Sequence, residues 1–343
     1  MQDMNNGSNE SAPNLYTSSA LPVLLFLPPT EEPSSMEIAI SVALVGCLTI
    51  AICGNASQIV LQIYTKRLTT ASPSQFFIGM LLLINFLVPL GLPSIVLEKL
   101  VKIWMFGRLS CIGYYTLATA GRVLPPWAIT VLHAFVAIFV SRSNRFSKFE
   151  GLLSLFGLGA MLFLIIAFVI PEGMTAELEL IRKDEIEAEQ YIMLIHTYQC
   201  SMNQSSNIDI KFGLEYVMPL ILGIALHIWI RSAIRLNSQS DISKNLLYLL
   251  SIYYVCHILY YIPTRDEDFF ISILPDDTGL RQILPFLAPT IMWYPLSQLS
   301  AALARSGLDK IEDDRTRART VGRNTLPNTD IEHSHLMDPE IVV

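Results

Sequence analysis

Charge is scarce in this chain. Of 343 residues only 15% are Asp, Glu, Lys or Arg, against 52% hydrophobic ones and a mean hydropathy of +0.46. A soluble domain of this length carries more charge, so that class is excluded and a polytopic membrane protein is expected. No Lys or Arg occurs before Lys66. Nothing therefore holds the segment ahead of the first apolar run in the cytoplasm, and the N-terminus is expected outside. No ten-residue alternating pattern recurs, which excludes a membrane barrel. Neither Gly-x-Ser-x-Gly nor His-Glu-x-x-His occurs, and His133, His196, His227 and His257 stand singly on different segments. No enzyme activity, metal centre or cofactor is expected on that ground. No cysteine follows the seventh apolar run, which removes palmitoylation as an anchor there. The apolar run Ala20–Leu27 lacks a basic lead, is too short to span and is bounded by Pro28 and Pro29, so it reads as tail rather than signal.

Present instead are seven long apolar windows, at 37–64, 73–97, 108–140, 149–171, 212–235, 244–263 and 280–303. Each accommodates a spanning helix of about 20 residues. The expected fold is an all-α bundle of seven transmembrane helices, with an extracellular tail (1–36), the bundle (37–303) and a cytoplasmic short helix and disordered tail (304–343). Charge counts agree with an inside C-terminus: inner segments hold fourteen basic and ten acidic residues, outer segments eight and nineteen. The acidic outer face favours cationic ligands. Sequons at Asn6, Asn9 and Asn203 fall on the outer side, whereas Asn55-Ala56-Ser57 lies within the first helix, where no sugar is expected. The setting is the plasma membrane, with lipid around the spans and no nucleic-acid partner.

Five cysteines sort by topology. Cys47, Cys53 and Cys256 fall within helices, leaving Cys111 at the outer end of helix 3 and Cys200 in the longest outer loop as the expected disulfide. That loop, 172–210, reads as a solvated acidic run. Polar residues inside spans need partners, so Asn55 is expected to meet Asn85. Pro295, together with Pro285 and Pro289, implies a kinked seventh helix, and Pro219 stands one turn after Glu215 in helix 5. Arg122, in mid-span before Pro125-Pro126, reads as a packing group bonding freed carbonyls. Glu215, in the outer third of helix 5, is a candidate ligand counter-ion, and His257, Tyr260 and Tyr261 on helix 6 are candidates to line the ligand pocket.

The order Gly54-Asn55, Leu83 to Asn85, Trp104-x-Phe106-Gly107-x-x-x-Cys111, Cys200, Pro219, Cys256 and Pro295 resembles the rhodopsin-like (class A) G-protein-coupled receptors over roughly 37–311. The resemblance implies an extracellular ligand and a heterotrimeric G protein as partners. The Asp-Arg-Tyr of that family falls on His133-Ala134-Phe135, which it implies to be the G-protein-facing positions. Its helix-2 aspartate is Asn85 here, its Cys-Trp-x-Pro is Cys256-His257-Ile258-Leu259, and its Asn-Pro-x-x-Tyr is Tyr294-Pro295-Leu296-Ser297-Gln298. The expected function is a receptor for a basic neuropeptide or peptide hormone, signalling by ligand-biased helix rearrangement. The alternatives are a chemosensory receptor for a small molecule and, from a different class, a membrane transporter.

Overall fold

A computed structural model describes residues 23–25, 32–65, 73–141, 150–188, 191–202, 211–234, 240–261 and 286–306. Helix α1 (Ser35–Tyr64) opens with a capping box, in which the Glu37 amide donates to Ser34 Oγ and the Ser34 amide to Glu37 Oε2. Helix α2 (Pro73–Leu87) passes through a 3₁₀ turn (Val88–Gly91) into α3 (Leu92–Val101). Next come α4 (Gly107–Val140), α5 (Glu150–Leu164) and the short α6 (Ile170–Met174). Two strands, β2 (Ala176–Ala188) and β3 (Tyr191–Met202), precede α7 (Met218–Ile234), α8 (Ser240–Tyr261) and α9 (286–306).

Among the described residues, five stretches are long and apolar enough to cross a membrane: Ser35–Tyr64, Pro73–Val101, Gly107–Val140, Ser154–Met174 and Gly213–Ile234. Helices α8 and α9 are as long as some of these but carry more tyrosine, serine and amide side chains, and they pack into the same bundle. The third stretch is central, with 72% of its most apolar window buried, against 22–28% for the first, fourth and fifth. The outward faces of those three present Val42, Val60, Leu155, Phe163, Ile221 and Ile228. An apolar exterior of that extent has no stable aqueous counterpart and fits a lipid surround.

Proline sets the irregularities. Pro89 lies in the 3₁₀ turn between α2 and α3. Near Pro171 and Pro219 the backbone slips into π turns, Ile165–Val169 and Gly213–Val217, where the Ile170 amide bonds the Ile165 carbonyl and the Met218 amide the Gly213 carbonyl. A residue that lacks an N–H leaves a carbonyl one turn earlier unpaired, and a π turn is one way a helix absorbs that defect. The fourth helix therefore continues to Met174 and does not end at Pro171 as the sequence suggests.

Two further expectations change. The bundle is not purely helical, since β2 and β3 form an antiparallel hairpin with Leu178 opposite Cys200, and Val23–Leu25 (β1) adds in parallel to β3 at Ile192–Leu194. Residues 176–188 and 191–202 of the acidic loop thus form a ribbon, and a piece of the expected tail is its third strand. Asn55 bonds Asn85 through the latter's main chain: Nδ2 donates to the carbonyls of Ala51 (2.7 Å), Pro289 (3.0 Å) and Asn85 (3.5 Å). The Asn85 carbonyl is the one that Pro89 leaves without a helical donor. One amide on α1 so ties α1, α2 and α9 together. Pro219 and Pro295 are buried within their helices, and Asn6, Asn9 and Asn203 lie outside the described residues.

Candidate functional site

The hairpin is fastened to the helix ends at several points. Cys111, near the start of α4, is disulfide-bonded to Cys200 on β3, with Cα atoms 5.7 Å apart. The Cys200 amide donates to Oε1 of the buried Glu98 at 3.1 Å, and the Trp104 amide to the Tyr198 carbonyl at 2.8 Å. The Trp104 indole N–H bonds the Gly107 carbonyl at 2.9 Å, closing a turn in which Gly107 has φ +73°. That left-handed conformation is open to glycine without a Cβ clash. Lys102, which ends α3, pairs with Glu37 at the start of α1. The ribbon is therefore locked onto α3 and α4 and covers one end of the bundle.

Arg122 stands eleven residues beyond Cys111 on α4, about 16 Å further along the helix. Its Nη2 donates to Glu172 Oε1 at 2.7 Å and to Thr119 Oγ1 at 3.2 Å, and its Nε lies 3.8 Å from Glu215 Oε2. The Tyr261 hydroxyl donates to Glu215 Oε2 at 2.6 Å, and Lys211 Nζ lies 3.3 Å from Glu172 Oε1. The Arg122, Glu172 and Glu215 side chains are 8%, 9% and 4% exposed, whereas that of Lys211 is 30% exposed. Two carboxylates face two cations, so the cluster is formally neutral. Buried charge at this depth persists only when paired in this way.

Arg122 is thus the hub of an ion-pair network, where the sequence suggests a packing group. Its own carbonyl is freed by Pro126, and the Tyr253 hydroxyl on α8 donates to it at 2.6 Å. Tyr253 is fully buried, stacked on His257 with ring centroids 4.0 Å apart. His257 Nδ1 bonds the Tyr253 carbonyl at 2.8 Å. Glu215, Tyr261 and His257 of the predicted pocket set are thereby brought to one region, whereas the Tyr260 side chain lies outside the described residues. Glu215 already has an internal cation and an internal donor. Glu172 joins them although it lies one residue past the apolar window 149–171, because the helix runs on through Pro171 to Met174.

The predicted inner positions fall elsewhere. His133 is buried against His227 of α7, ring centroids 5.9 Å apart, with Nδ1 bonded to the Ile129 carbonyl at 2.8 Å. Phe135 stacks on Phe77 of α2 at 5.3 Å, and Ala134 is half-buried. In this arrangement His133 and Phe135 are covered by neighbouring helices. No protein-family model and no curated protein sequence matches this chain.

Proposed function

We propose that the chain is a seven-span cell-surface receptor for a basic peptide, with α8 and α9 as its sixth and seventh spans, its N-terminus outside, and a heterotrimeric G protein as its inner partner. The observation that carries this reading is the disulfide-held ribbon set over a buried ionic network joining the third, fourth, fifth and sixth spans. The sequence resemblance to rhodopsin-like receptors and the distribution of charge between inner and outer segments support it further.

A cationic group on a ligand entering beneath the ribbon competes with Arg122 and Tyr261 for Glu215. Bonding to the carboxylate releases Tyr261 and so loosens the sixth span from the fifth. A ligand that binds the loosened arrangement better shifts the population toward it, and covered inner residues such as His133 and Phe135 then become reachable by a G protein. Exposing expressing cells to a basic-peptide library, with second messenger and arrestin recruitment as readouts, identifies agonists. For such an agonist Glu215→Gln lowers potency by about tenfold or more, the equivalent of one lost interaction of about 1.4 kcal/mol. Unchanged potency rejects the ligand role of Glu215, and Cys200→Ser, which frees the ribbon, serves as the inactive control. A buried ionisable network is also what a transporter uses along its path. Substrate flux through proteoliposomes in the absence of any G-protein response favours that second reading.

A further inference from the structure

A groove of about 340 Å³ runs between α8 and α9 on the outside of the bundle, well away from the ionic network. The two helices run in opposite directions. The far end of α8 meets Glu215 through Tyr261, whereas the far end of α9 meets the start of α2, where the Ser300 hydroxyl donates to Gln75 Oε1 at 2.7 Å. The beginning of α8 therefore lies beside the end of α9, and the groove is graded along its length. One end is ringed by Lys244 and Arg305 with the single carboxylate of Asp241, a net positive charge, the middle by the tyrosines Tyr248 and Tyr294, and the other end by Ile252 and Ile291. Both tyrosines are exposed, at 57% and 59%.

This order of side chains mirrors a phospholipid: anionic head, polar ester region, hydrocarbon chain. The lengths agree as well. From position 241 to 252 on α8 the helix rises about 16 Å, and from 291 to 305 on α9 about 21 Å, close to one leaflet's half of a ~30 Å hydrocarbon core plus part of the head region. Tyrosine is favoured at that boundary, and Lys and Arg at the cytoplasmic side of it. Lys244 lies 3.6 Å from Asp241, a pair with both side chains well exposed, 59% and 79%, that holds the ammonium weakly and leaves it able to turn to a phosphate. Arg305 bonds only the Ala301 carbonyl of its own helix, at 3.4 Å, among the described residues. From these observations we infer that the groove is a binding site for an anionic phospholipid, with its phosphate between Lys244 and Arg305 and one acyl chain along Ile252 and Ile291.

The full-length protein in nanodiscs tests this. After reconstitution in phosphatidylcholine with a tenth of phosphatidylserine or phosphatidylinositol bisphosphate, native mass spectrometry reports the lipids that remain bound. Each cation near an anionic headgroup contributes roughly a fivefold gain in affinity, so Lys244→Ala with Arg305→Ala lowers retention of anionic lipid about thirtyfold while the protein stays folded. Equal retention by the double variant, or equal retention of phosphatidylcholine by the unaltered protein, overturns the inference. A second measurement replaces Tyr294 with a photoreactive benzophenone side chain and irradiates the same nanodiscs. An adduct to anionic lipid supports the site. A cross-link to a second copy, or to the chain beyond position 306, shows that protein covers the groove and overturns it.

Discussion

Replacing Arg122 by methionine isolates the central interaction of the bundle. The substitution keeps much of the side-chain volume but removes the cation that holds Glu172 at 2.7 Å and faces Glu215 at 3.8 Å. Both carboxylates are under a tenth exposed, so neither reaches water easily, and Lys211 at 3.3 Å from Glu172 compensates only one of them. Breaking a buried pair by deleting one member costs about 3–5 kcal/mol, most of it from the charge left behind. At about 2 °C per kcal/mol for a large domain, the melting midpoint in detergent falls by roughly 6–10 °C. The informative comparison is the triple variant Arg122→Met, Glu172→Gln, Glu215→Gln. It leaves no carboxylate in the network around position 122, and the remaining cation there, Lys211, is partly exposed. The triple variant is therefore expected to recover at least half of the lost stability, as buried ion pairs replaced as a set are often close to neutral. Thermal unfolding of the four proteins, namely wild type, Arg122→Met, the double glutamine variant and the triple variant, gives the coupling directly. If the triple variant melts no higher than Arg122→Met alone, Arg122 acts through packing and the ionic account is wrong.

Other substitutions probe the supports around this network with the same melting assay. Tyr253→Phe leaves the Arg122 carbonyl without its donor and costs about 1–3 kcal/mol; adding Pro126→Ala restores a helical N–H to that carbonyl and is expected to recover part of the loss. Gly54→Ala sets a Cβ 2.6 Å from the Trp293 indole and destabilises by about 1–3 kcal/mol through overpacking, relieved by Trp293→Leu. Cys200→Ser opens a closure of 89 residues and costs about 2–5 kcal/mol, which mild reduction of the wild type should reproduce and reduction of the variant should not.

The parts of the molecule legible in the sequence are those fixed by local signals. Apolar length locates the helices, and the placing of Cys47, Cys53 and Cys256 inside apolar runs leaves Cys111 and Cys200 as the pair to join. Alternation in Ala176-Glu177-Leu178-Glu179-Leu180 carries the period of a strand, yet the same acidic residues equally fit a solvated run. The partners of Arg122 were not legible, because Glu172 lies 50 residues away and Glu215 further still, on helices whose rotation is set by packing. Nor could composition reveal that Tyr253 caps a carbonyl on α4. That contact depends on Pro126 opening the position, which the α4 sequence shows, and on α8 arriving at the same height, which has no trace in either segment alone.

The two π turns determine where the negative charges aim. Each amounts to one surplus residue in an otherwise regular coil, and one residue corresponds to about 100° of rotation about the axis. Glu172 follows the first turn and Glu215 sits inside the second. Excising a single residue from either turn would leave every side-chain identity intact yet swing a carboxylate about a quarter of the way round, out of reach of the guanidinium. The spelling of these two helices therefore matters less than their count, and an indel of one there is expected to be more damaging than most replacements nearby.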